Sequence, residues 1–245
     1  MPESPSDQFP IYLGSKESEA TLYVTRQELC SSIYKPQIPE RFDQHSSRYD
    51  VLREVKVNVT TLDSLMEKEH SLEKIHLIRV VTQGSEYEIL QGAIKTCDKY
   101  QPIIFVHTWL NSIYHESGNL EQILRWARLN GYVAIDLKPA VTWLPKGTEI
   151  NSSKREVIGV SVLMCRKNIF EDKYEDNRHQ SHSSIEHISY ILSNYGFTSL
   201  ASFLIGKNDQ TASDKRIALN LALFLNSPSL LKKTTHYLKR FSSLK

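Results

Sequence analysis

The chain has 245 residues, 40% of them apolar and 24% charged, with a formal net charge of +2. That suits one sizeable soluble domain with an appendage, and the charge is too small to argue for a nucleic-acid partner. Cys30, Cys97 and Cys165 are odd in number and far apart, which argues against a disulfide framework or a Cys-x-x-Cys metal site and favours a reducing, cytoplasmic setting. Met1 to Pro10 lacks the apolar core of a leader, and no stretch reaches the ~18 to 20 apolar residues that would span a bilayer.

In chain order, the first strong signal is Ile75 to Val81, a near-continuous apolar run read as a strand buried on both faces. It stops at the polar turn Thr82-Gln83-Gly84. Ser85 and Glu88 then have the spacing of a capping box, opening a helix that is expected to run from Ser85 to Tyr100 with Tyr87, Leu90 and Ala93 or Ile94 on one face. Ile103 to Trp109 is a second buried strand. Asn119 and Gln122 form another capping box before a helix over Leu120 to Leu129, and Gly131 is its natural stop. Tyr132 to Leu137 and Val157 to Cys165 are further strands. Strands alternating with helices predict an α/β fold with a mostly parallel sheet and an antiparallel pair at its end.

After Lys167 the composition turns polar, so residues 169–187 read as a linker between a domain at 1–168 and a helical appendage at 188–245. Ile188 to Ile205 and Arg216 to Leu225 have the pattern of short helices. Leu230 to Leu244 is amphipathic, and from Ser227 onward there are five lysines or arginines and no acid. Such a helix can contact an anionic membrane surface, bind an acidic partner or dock on its own domain.

In open α/β sheets, ligands sit at the turn after a strand, which makes Thr82, Gln83 and Glu86 site candidates. Gln83 can face a ligand or bond its own turn. Glu86 lies in a first helical turn, where the dipole already favours a carboxylate. His107 ends a strand and is a candidate general base, since imidazole titrates near neutrality. His179, His182 and His187 are too loosely spaced to point to a metal site.

Val80 to Ala93 resembles the signature of the FkbM-type methyltransferases, which are S-adenosylmethionine-dependent enzymes with a Rossmann-like sheet. Three further segments agree in order. They are Leu22 to Thr25 with Cys30 to Pro36, similar to a serine-rich loop; Val55 to Leu65, similar to a strand and helix start with Asp63 as a helix-start acid; and Asn130-Gly131-Tyr132. The resemblance implies S-adenosylmethionine as cofactor, bound near Thr82, Gln83 and Gly84. Gln83, Glu86 and His107 are its implied catalytic positions. The implied acceptor is a small molecule or glycan, methylated on a hydroxyl of a sugar, lipid or secondary metabolite.

The chain departs from that family at Val81, where an acid is usual, and at His107, where Glu is common. It also has no glycine-rich loop, because the part resembling the family begins near the third strand. It is therefore expected to be an N-terminally truncated or degenerate member whose signature strand presents a bare edge. Three functional expectations follow. The chain could be a methyltransferase by descent with impaired activity, a non-catalytic interaction module, or a half-enzyme completed through that edge by another chain or a second copy.

Overall fold

A computed structural model describes residues 11–68, 75–148, 154–170 and 182–208. They fall into two compact units that divide between Asn168 and Ile169.

In the first unit, runs of branched and aromatic residues build two sheets. The smaller has the order β1 (Tyr12–Leu13), β3 (Val51–Thr60), β2 (Ser18–Thr25). Here β2 and β3 are antiparallel, with Ala20 opposite Val57 and Leu22 opposite Val55, and β1 runs parallel to the end of β3. The larger sheet has the order β4 (Leu77–Val80), β5 (Ile103–Trp109), β7 (Glu156–Arg166), β6 (Tyr132–Trp143). Helices α1 (Leu62–Lys68), α2 (Glu86–Gln91), α3 (Ile94–Tyr100) and α4 (Leu120–Leu129) join these strands.

The expected α/β class holds, with a correction to the sheet. Among the described strands of the larger sheet only β4 and β5 are parallel, because β7 returns antiparallel between β5 and β6. The antiparallel final pair is present as β6 and β7. β6 extends to Trp143 and tolerates Pro139 because it lies at an edge.

One face of the larger sheet presents Ile78, Val80, Ile104, Val106, Val160, Val162 and Met164 to Leu90, Ala93 and Cys97 of the α2–α3 region and to Ile123, Trp126 and Ala127 of α4. Each large apolar side chain sequestered this way contributes about 1.5–3 kcal/mol. A second core gathers Trp109, Ile113, Tyr114, Trp143 and Ile158 around Cys30, Phe42 and Tyr49, with Phe42 and Tyr49 supplied by 3-10 turns at Glu40–Tyr49. That cluster brings the serine-bearing loop after β2 to the end of β5.

Three local expectations change. β4 is not buried on both faces: Ile78 and Val80 are buried, whereas Leu77 and Val81 are 37% and 40% exposed. The helix expected from Ser85 to Tyr100 is two helices, broken at Gly92 and Ala93. A Cβ on Gly92 would come within 2.0 Å of the Gly14 carbonyl oxygen, so the smaller sheet approaches the chain at the break. The break also gives α3 its own N-terminus, whose Lys95 and Thr96 amides donate to the Asp63 carboxylate at 3.0 and 2.8 Å. Asp63 therefore caps α3, while α1 starts on Thr61 Oγ1, which accepts from the Ser64 amide. The capping box at Asn119 and Gln122 forms as expected.

The second unit contains α5 (His182–Asn194) and α6 (Thr198–Asn208), with a turn at Gly196 (φ +91°) between them. α5 starts within the stretch read as linker. Ile188, Leu192, Ala201 and Leu204 are buried. The expected helices at Arg216 to Leu225 and Leu230 to Leu244 lie outside the described residues, as does His179. Among the described residues, no helix is long and apolar enough to cross a membrane.

Candidate functional site

β4 ends at Val80, and the chain reverses through Gln83 (φ +62°) and Gly84 (φ +115°) before α2 begins. Left-handed backbone is costly for a residue with a Cβ, so something must hold Gln83 there. Two groups do. Ser32 Oγ donates to the Gln83 carbonyl at 2.7 Å, and the Tyr114 hydroxyl lies 3.2 Å from Gln83 Oε1 and 2.8 Å from the Cys30 carbonyl. Ser32 comes from the loop after β2 and Tyr114 from the loop after β5, so three segments far apart in sequence meet at this turn.

Glu86 sits inside it, 1% exposed. Its carboxylate accepts from the amides of Thr82 and Gly84, both at 2.9 Å, and also from its own amide and the Thr82 hydroxyl. Ser85 Oγ donates to Thr82 Oγ1 at 2.9 Å and does not cap α2, so the expected Ser85–Glu88 capping box is absent. Burial pushes the Glu86 carboxyl above its usual range, more strongly than its donors pull it down.

Glu88 turns instead toward Tyr34, whose hydroxyl it accepts. Burial raises both groups, and Glu88 Oε2 is buried with no hydrogen-bond partner among the described residues. Sequence reasoning gave Glu88 only a capping role and missed Ser32, Tyr34 and Tyr114 as parts of the turn. The serine-rich resemblance around Ser31-Ser32 was the one available signal for this contact.

His107 stands apart from that cluster. The strand register sets Val80 beside Val106, so His107 is one step beyond, next to Val81. Its ring meets Trp109 edge-on at 5.8 Å, and no hydrogen bond joins it to Gln83 or Glu86 among the described residues. Burial, followed by the positive charge of Arg79, lowers its pKa and keeps the imidazole neutral at pH 7. The structure thus brings Thr82, Gln83, Gly84 and Glu86 together and leaves His107 on the neighbouring strand.

S-adenosylmethionine would need outward-facing polar groups for its ribose, amino acid and adenine. Here the Glu86 carboxylate, the Thr82 hydroxyl and the Gln83 carbonyl are spent on the turn itself. Val81 offers an apolar side chain at the strand end. The residues present at the turn do not fit the cofactor.

Comparison with known proteins finds the family model described as the methyltransferase FkbM domain over residues 3–134, more than half of the chain. No curated protein and no solved structure matches. The matched range contains the whole signature turn, both loops that brace it, and β1 through β5. The chain belongs to the FkbM-domain methyltransferase family.

Proposed function

We propose that this protein derives from S-adenosylmethionine-dependent O-methyltransferases acting on a hydroxyl of a sugar, lipid or secondary metabolite in the cytoplasm, and that the chain by itself does not hold the cofactor. The observation that supports this is the inward commitment of the signature turn, with the Glu86 carboxylate sealed under the Thr82 and Gly84 amides. A working site would need strands from outside the described residues beside β4. Of the three candidate catalytic residues, Gln83 and Glu86 serve the turn. His107, neutral at pH 7, is the group able to take a proton from an acceptor hydroxyl at its ring nitrogen.

Calorimetric titration of the full chain with S-adenosylmethionine and with its demethylated product tests this. No binding tighter than about 100 µM, or about −5.5 kcal/mol, is expected. A tighter complex would overturn the reading. A second reading, a non-catalytic interaction module, is favoured by the edge of β4, which pairs with β5 alone among the described residues. Methyl transfer to any hydroxyl acceptor by the chain alone would exclude it.

A further inference from the structure

We propose that the open edge of β4 takes, as its next strand, an extended segment of another polypeptide with a carboxylate opposite Arg79. This rests on the reading above that the sheet is incomplete at β4, and on the following geometry.

The His76 carbonyl accepts from the Ile103 amide at 2.9 Å, and Leu77 is the register partner of Ile103. In a parallel ladder that pattern turns the backbone groups of Ile78 and Val80 toward β5 and those of Leu77, Arg79 and Val81 away from it. Among the described residues β4 pairs with β5 alone, so the outward groups form a strip ready for strand addition. The side chains on the same three residues are the exposed ones. They read apolar, basic, apolar along the edge. Arg79 lies 5.6 Å above the Phe105 ring and forms no ion pair with a described carboxylate.

A second copy of this chain is a poor occupant. Antiparallel self-pairing through Leu77, Arg79 and Val81 sets the two arginines directly or diagonally across from each other, and like charges there are unfavourable. A strand with an acidic residue at that position has the complementary charge, and apolar residues two positions to either side would meet Leu77 and Val81.

The test uses two nine-residue synthetic peptides that alternate valine and threonine around a central aspartate or a central lysine. Binding to the full chain is followed by amide hydrogen exchange and by titration. The aspartate peptide is expected to slow exchange at Leu77, Arg79 and Val81 and to bind about tenfold more tightly than the lysine peptide. Arg79→Glu, at an exposed position, should reverse that order. Equal binding of the two peptides, or no protection of those three amides, would overturn the proposal. So would protection already present in the chain alone, pointing to a second copy if it grows with protein concentration and to another segment of this chain if it does not. None of these readouts depends on S-adenosylmethionine, so this proposal and the cofactor reading fail separately.

Discussion

Glu86 shows how one side chain can fix a turn while losing the freedom a ligand site needs. Both carboxylate oxygens accept backbone amides two and four residues before it, which lets Gln83 and Gly84 remain left-handed. Glu86→Gln keeps one acceptor and sets an amide NH₂ against a remaining N–H donor. The expected loss near pH 5, by urea denaturation, is about 1–3 kcal/mol. The pH dependence has a definite sign. Because burial raises the folded carboxyl above 4.5, the folded state holds its proton more firmly than the unfolded chain does. The stability this gives the wild type is full below pH 4.5 and is lost as pH rises through the raised native value. Gln cannot ionise, so the gap between variant and wild type should narrow towards pH 8. A gap that stays constant would show an ordinary carboxyl. The three cysteines make a second test at this scale. All are buried, and burial raises Cys97 and Cys165 to about 12. Native protein at pH 8 should therefore react with iodoacetamide far more slowly than protein in urea, followed by mass; equal rates would contradict the packing.

At the scale of elements, what could be read in advance was what depends on neighbours in sequence. Asn119 and Gln122 announce their capping box because both partners lie within one turn, and Gly131 (φ +71°) ends the following segment as its type suggests. Ser85 and Glu88 have equally good spacing, yet Ser85 bonds Thr82 and Glu88 bonds Tyr34, a residue 54 positions earlier. The break at Gly92 was hidden for the same reason, since the obstacle is the backbone of Gly14 from another sheet. Gly92→Ala should therefore cost about 1–3 kcal/mol or more, because backbone cannot rotate aside as a side chain can. Asp63→Ala should cost about 0.5–2 kcal/mol by removing the cap of α3, and circular dichroism at the midpoint of unfolding would follow both losses. A neutral Gly92→Ala would mean that the two segments do not touch.

Across the first unit, the two sheets differ in how much water they exclude. Ile103, Ile104 and Val106 of β5 and Val162, Met164 and Cys165 of β7 are all but sealed, whereas most residues of β3 are exposed or half-buried and Leu52 is 61% exposed. From Val55 onward the sequence of β3, Val-Lys-Val-Asn-Val-Thr, alternates as a one-faced strand should, but alternation cannot say whether the apolar face is fully covered. The same blindness applies to β4, whose apolar run suits a strand buried on both faces, whereas among the described residues it pairs with β5 alone. Opening free energy follows buried apolar contact, so the unit should not exchange its amides as one body. Native-state hydrogen exchange is expected to show Ile104 to Val106 opening only with global unfolding. Amides of Leu22 to Val24 and Arg53 to Lys56 should exchange through a smaller opening, at least about 2 kcal/mol lower, with less denaturant dependence. Equal free energies and slopes in both sheets would show that the smaller sheet is stabilised as strongly as the larger. A lower value confined to the smaller sheet would locate the fold's stability in the β4–β5–β7–β6 sheet, leaving the signature turn to be braced from the looser side through Ser32 and Tyr34.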